Sequence, residues 1–117
     1  MNLNNAIEKH AEWKFKFRKA ITGRKTLDAE TISNDGCCEL GKWLHGEAGS
    51  RFGNFSSYAE CVEKHAVFHA EAGKVAKAIN AKKYTEAEAV INGDSSYNMA
   101  SVAVGLAIMH LKKEAGL

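Results

Sequence analysis

Residues 57–81 read SYAECVEKHAVFHAEAGKVAKAINA. Tyr58, Cys61, Val62, His65, Phe68, His69, Ala72, Val75, Ala76 and Ile79 recur every three or four positions, which is the spacing of one helix face. No other stretch of the chain is so regular, and it sets the fold class as all-α.

Upstream, Leu3, Ile7, Trp13, Phe17 and Ile21 repeat the pattern with charged residues between them, predicting a first helix over about residues 3–23 closed by Gly23. Downstream, Thr85-Glu86-Ala87-Glu88 has the form of a capping box and opens a short helix that stops at Gly93. Asp94-Ser95-Ser96 then offers an N-cap for a last helix over about 97–114, with Met99, Val102, Leu106, Met109 and Lys113 on one line. Residues 26–57 differ. Asp28 and Asp35 predict two short helical pieces, and Gly41, Gly46, Gly49 and Gly53 predict an irregular, compact connection. The sum is a four-helix-bundle-like single domain over residues 1–117, with short helices in the 26–57 connection.

Composition agrees with long helices. None of the 117 residues is proline, where average usage, about one in twenty, would give about six. Charged residues make up 26% of the chain and the net charge is only +2, so the dense basic surface of a nucleic-acid binder is missing. Lys9, Lys14, Lys16, Arg18, Lys19, Arg24 and Lys25 cluster early; they read as the solvated face of the first helix. The longest largely apolar run, Met99 to Met109, falls short of the roughly 20 residues a bilayer span needs. The opening Met-Asn-Leu-Asn-Asn has neither a basic n-region nor an apolar h-region. These features predict a cytoplasmic protein without membrane insertion, in which three cysteines do not form a disulfide framework.

The helix faces also carry polar residues where apolar ones belong. His10 lies on the inward stripe of the first helix, and His65 and His69 lie one turn apart on the inward stripe of the periodic helix. An unpaired buried polar group costs roughly 1–3 kcal/mol, so three inward imidazoles call for a shared role, and imidazole is a common metal ligand. Cys37 and Cys38 stand at the start of a predicted short helix, where amide groups and the helix dipole favour a thiolate. One of these two cysteines would complete a tetrahedral zinc site. Four protein ligands leave no open position, the mark of a structural or sensing site and not of a catalytic one. In His65-Ala66-Val67-Phe68-His69 an alanine also stands where a metalloprotease carries its glutamate. No catalytic residue is predicted.

Three fragments, His10-Ala11-Glu12-Trp13, Cys38-Glu39-Leu40-Gly41-Lys42-Trp43-Leu44 and His65-Ala66-Val67-Phe68-His69, resemble in order and separation the three signature blocks of the chemoreceptor zinc-binding (CZB) domain family. The resemblance implies that His10, Cys38, His65 and His69 bind Zn2+. The Cys-x-Leu-Gly-x-Trp frame selects Cys38 over Cys37. It further implies a bacterial, cytoplasmic helical bundle, often a homodimer, that regulates a chemoreceptor or a diguanylate cyclase, in cis or in trans, and in some members senses oxidants. Cys37 is read as a small filler, Cys61 as a core residue, Trp13 and Trp43 as packing over the site, and His45 and His110 as surface residues. Two other classes compete: a helical interaction module in which zinc is only a staple, and a hemerythrin-like di-iron bundle, which would need carboxylates beside the histidines.

Overall fold

The computed structural model describes residues 1–117 and contains eight helices and no strand: α1 (Leu3–Ala11), α2 (Trp13–Gly23), α3 (Ala29–Ser33), α4 (Glu39–Leu44), α5 (Glu47–Phe52), α6 (Ser56–Asn80), α7 (Tyr84–Asn92) and α8 (Ser96–Ala115). It is 78% helical, an all-α bundle. Its extents are 43 × 24 × 19 Å. No helix is long and apolar enough to cross a membrane.

The periodic stretch forms α6, a 25-residue helix that starts and stops within one residue of the predicted span. It buries Cys61, His65, Phe68, His69, Ala72, Gly73, Val75, Ala76 and Ile79. Against this stripe lie α8, through Tyr97, Ala100, Val104, Ala107, Ile108 and Leu111, and α3, through Ile32. The helix α1 also packs on α8, and α7 packs on α6 and α2. Phe55, the N-cap of α6, supplies no side-chain cap. Glu114 from the last turn of α8 does so instead, accepting from the amide of Ser57 and from its hydroxyl.

Four local expectations change. The first helix is interrupted at Glu12, so α1 and α2 are separate elements. Gly23 is the last helical residue of α2, and Arg24 takes the left-handed cap conformation (φ 51°) with its guanidinium 4.5 Å from the centre of the Tyr84 ring. The connection holds three short helices where two were expected, and the second begins at Glu39 with Cys38 as its N-cap, not behind Asp35. The helix α7 starts at Tyr84 with Lys83 as N-cap and no side-chain cap, so Thr85 does not form the expected capping box. The cap expected for α8 is present: the Ser95 hydroxyl accepts from the Asn98 amide at 3.1 Å.

The connection is held to the bundle at both ends. Asn80, at the end of α6, accepts from the Leu27 amide and donates to the Leu27 carbonyl, both at 2.8 Å. At the other end, the Tyr58 hydroxyl donates to the Leu44 carbonyl at 2.6 Å. Leu40, Leu44, Ala48 and Phe52 bury the inner faces of α4 and α5. Between these anchors the chain crosses the face of α6 that carries the two histidines.

Candidate metal centre

The centre assembles from three elements: α1, α6 and the segment before α4. The helix α6 alone places two imidazoles, because His65 and His69 are one turn apart on its buried face; they are 0% and 3% exposed. His10 reaches them from α1 and is 5% exposed. Cys38 is half-buried and arrives as the N-cap of α4, its Sγ accepting from the Gly41 amide at 3.3 Å.

Glycine makes that arrival possible. A Cβ built on Gly41 would stand 1.6 Å from the Asp35 carbonyl oxygen, so the backbone of residues 35–36 crosses α4 where only a glycine leaves room. This gives the Cys-x-Leu-Gly frame a physical meaning: Leu40 anchors α4 in the core, and Gly41 lets the preceding loop fold over it and aim Cys38 at α6. Gly73 does the same for α3. A Cβ there would lie 2.5 Å from Ser33 Cβ.

Two of the three rings have fixed tautomers. His10 Nδ1–H donates to the Ala6 carbonyl at 2.7 Å, and His69 Nδ1–H donates to the Ile32 carbonyl at 2.8 Å. A carbonyl only accepts, so each Nδ1 carries the hydrogen and each Nε2 keeps a lone pair. These lone pairs converge. His65 Nε2 lies 3.2 Å from His10 Nε2 and 3.0 Å from His69 Nε2. Cys38 Sγ lies 3.8, 3.2 and 3.6 Å from the Nε2 atoms of His10, His65 and His69. All four donor atoms fall within 4.8 Å of one another.

No neutral form of His65 satisfies this arrangement. Its Nδ1 is buried without a partner. A hydrogen on Nδ1 leaves a buried N–H unpaired and three lone pairs face to face; a hydrogen on Nε2 leaves the Nδ1 lone pair unpaired. A proton shared among the rings is no remedy, because burial and the neighbouring His69 and His10 push His65 down to about 3. Burial lowers His10 and His69 as well, against the pull of their carbonyl partners. A cation accepts all the converging lone pairs at once. In a regular tetrahedron with ordinary zinc bond lengths, the edges are about 3.3 Å between nitrogens and about 3.6 Å between sulfur and nitrogen. The three sulfur–nitrogen edges found here bracket the second value, the two nitrogen–nitrogen edges of 3.2 and 3.0 Å fall slightly below the first, and one soft thiolate with three imidazoles is a donor set suited to zinc. The residues present fit the ion.

Helix-terminal stabilisation of the thiol, expected from sequence, is outweighed in the metal-free site. Burial pushes the Cys38 thiol up, and the amides of Gly41, Leu40 and Cys38 itself pull it down by less. The other two cysteines are different. Cys61 is fully buried, as expected, and burial raises its thiol to about 12. Cys37 is exposed, so the expectation that it fills space beside the metal loop fails: the turn that directs Cys38 inward directs its neighbour outward.

Trp13 lines a groove of about 550 Å³ whose wall includes His10 and Cys38. Trp43 instead packs on Phe52, with ring centres 6.1 Å apart. His110 is exposed beside Glu60, at 3.3 Å. His45, half-exposed, pairs with Asp35 at 3.0 Å. Burial is the largest single influence on the Asp35 carboxyl and raises it, but the His45 hydrogen bond and the charges of His45, His65 and His69 together outweigh it and the net shift is downward. This pair ties the Cys38 loop to the end of α4. Sequence reading did not find it, nor the carbonyls of Ala6 and Ile32 that orient two rings. Backbone carbonyls leave no mark in a sequence, while an aspartate and a histidine ten residues apart face each other only once the loop is built.

The fold and this donor set define a class: a helical bundle with a closed four-donor metal centre. A family model described as the chemoreceptor zinc-binding domain matches residues 10–76, more than half of the chain. The chain belongs to the chemoreceptor zinc-binding domain family. The match begins on His10 and spans Cys38, His65 and His69, and it ends within α6, leaving α7 and α8 outside it. The family is a regulatory zinc-binding one, not a catalytic one. No curated protein and no solved structure matched the chain.

Proposed function

We propose that this chain is a zinc-binding sensory domain in which His10, Cys38, His65 and His69 hold one zinc ion, and that zinc availability and oxidation of Cys38 change how its helices pack and so control a chemotaxis or cyclic-di-GMP signalling partner. The observation that carries this reading is the convergence of three imidazole Nε2 atoms and one thiol sulfur, two of the rings having Nδ1 tied to backbone carbonyls. Bound zinc would hold the thiolate and the three rings together as a Lewis acid without redox chemistry of its own.

The residues then divide the work. His10 belongs to α1 and the His65/His69 pair to α6, while Cys38 belongs to the connection. Loss of the shared cation returns opposed lone pairs to a buried space, and the element with the weakest anchorage gives way first. Cys38 is half-buried and lines the groove beside Trp13, which supplies an approach for a small oxidant. Attack of the Cys38 sulfur on hypochlorous acid transfers Cl⁺ to sulfur and leaves hydroxide; water then displaces chloride to give sulfenic acid. Sulfur loses two electrons, and a good ligand becomes a poor one. The group lacks any carboxylate, which weighs against a di-iron site.

Elemental analysis of protein purified without added metal tests the reading: one zinc per chain is expected, and iron at two per chain would replace it with the di-iron alternative. Titration with hypochlorous acid separates sensing from stapling. Zinc should leave as the first thiol equivalents are oxidised. Full retention of zinc at stoichiometric thiol oxidation would leave the metal as a staple.

A further inference from the structure

The cations of α2 and its C-cap have no anions of their own. Residues 14–25 contain Lys14, Lys16, Arg18, Lys19, Arg24 and Lys25 and no acidic residue, so the stretch carries +6 in a chain of net +2 and leaves −4 for the rest. Elsewhere exposed cations are paired, Lys9 with Glu39, Arg51 with Glu47 and Lys74 with Glu71. None of these six makes an ion pair, neither with Glu12 at the N-cap of α2 nor with Glu88 of the adjoining α7. Arg18 donates to the Asn92 side-chain oxygen at 2.7 Å, and Lys16 Nζ and Lys19 Nζ lie 4.4 and 5.5 Å from the ring centres of Trp13 and Phe15. The arrangement does not serve the helix itself. Lys14 and Arg18 stand four apart and Lys16 and Lys19 three apart, spacings at which like charges destabilise a helix. The macrodipole favours acids in the first turn and cations in the last; α2 has no acid in its first turn, no cation in its last, and Lys14 and Lys16 at the end where they are least favoured. Between these cations the Phe15 ring is 62% exposed.

We propose that the outer face of α2 docks on the surface of an anionic phospholipid bilayer, its lysines and arginines on lipid phosphates and the Phe15 ring at the headgroup boundary. Charge complementarity names the occupant as an anion: a self-repelling face with no internal partners gains most where anions are supplied from outside. Clusters of four to eight cations on a helix are held in this way by anionic leaflets, and an exposed aromatic ring among them adds an apolar anchor. The spread of the cations favours a bilayer over an acidic protein segment. At 3.6 residues per turn, Arg18, Phe15, Lys19 and Lys16 fan across about 160° of the circumference of α2. A fluid headgroup layer brings separate anions to both flanks of such a fan, whereas one acidic segment meets a single line of it. The contact is peripheral, since no helix is long and apolar enough to cross a membrane. The metal donors lie on other elements, so the argument is independent of zinc.

Cosedimentation of the whole 117-residue chain with vesicles tests the proposal. The chain should bind vesicles of equal parts phosphatidylglycerol and phosphatidylcholine at low ionic strength, about 0.05 M, should lose about 10-fold or more of that binding at about 0.5 M, and should leave pure phosphatidylcholine vesicles unbound. Lys16→Glu/Lys19→Glu should lower the partition coefficient at least about 30-fold with unchanged far-ultraviolet helicity. Lys74→Glu/Lys113→Glu, which changes the net charge equally on α6 and α8, should bind nearly as the parent does. Phe15→Ser should cost about 10-fold and keep the salt dependence. Polyglutamate is the competing probe: binding to it in place of the anionic vesicles would assign the face to an acidic protein segment. That result, equal binding to neutral vesicles, or equal losses in the two double variants would each overturn the proposal.

Discussion

The helix α6 and the connection between residues 26 and 55 both build the metal centre, yet they place their donors by different means. In α6 the positions of His65 and His69 follow from helical geometry alone, and ten buried residues along 25 hold the helix in place. Cys38 has no such support: it sits between short helices and owes its aim to a backbone crossing at Gly41 and to ties at Leu27, Leu44 and His45. Regular structure fixes a ligand through many weak contacts, each dispensable. Irregular structure fixes one through a few contacts, each necessary.

Substitutions in the connection should therefore harm metal binding out of proportion to their size. The largest effect is expected for Cys38→Ala, which removes a donor and should lower zinc affinity by more than about 100-fold, the upper range for losing an outer-shell partner; Cys37→Ser should change it little, and competition with a chromogenic chelator reads both. Equal losses would place the wrong cysteine in the site. Next comes Gly41→Ala. In an ordinary helix this change stabilises by roughly 0.5–1 kcal/mol, but here the new methyl would overlap the Asp35 carbonyl. A fall of about 30- to 100-fold in zinc affinity with little change in far-ultraviolet helicity is expected. Undiminished affinity would show that the loop has slack and break the contrast with α6.

Gly73→Ala moves the comparison onto α6 itself. The methyl would press on Ser33 and displace α3, and with it the Ile32 carbonyl that orients His69. Zinc affinity should fall by about 10-fold, less than for Gly41→Ala because His69 stays on its helix. The smallest effect is a proton count. In the metal-free site Cys38 lies above the ordinary thiol value and the three histidines lie below the ordinary imidazole value. At pH 7.5 the thiol is protonated and the rings are neutral, so zinc binding should release about one proton per chain, all of it from sulfur. Calorimetry in two buffers of different ionisation enthalpy measures it; release near zero would mean that the connection already presents a thiolate.

The same contrast explains what could be read from sequence. The spans of α6 and α8 and the inward positions of His10, His65 and His69 are legible because a 3.6-residue period repeats often enough to average out local exceptions. Grouping with Cys38 is legible through the resemblance of three ordered fragments. The break at Glu12, the left-handed cap at Arg24, the third short helix and the outward Cys37 are not, since each depends on one contact made by distant residues. The line Met99, Val102, Leu106 and Met109 shows the opposite limit: its period is legible, but α8 has a second apolar stripe, and period alone does not say which one enters the core.

The clamp of Asn80 on Leu27 has a consequence for how the molecule opens. Its two hydrogen bonds join the start of the connection to the last turn of α6, so the segment beyond it is a tethered loop and not a free strand of chain. Withdrawal of the ion then releases a bounded cooperative unit while the bundle stays folded. Amide hydrogen exchange of the metal-free protein should be fast from Asn34 to Phe52 and slow at Leu27 and through the centre of α6.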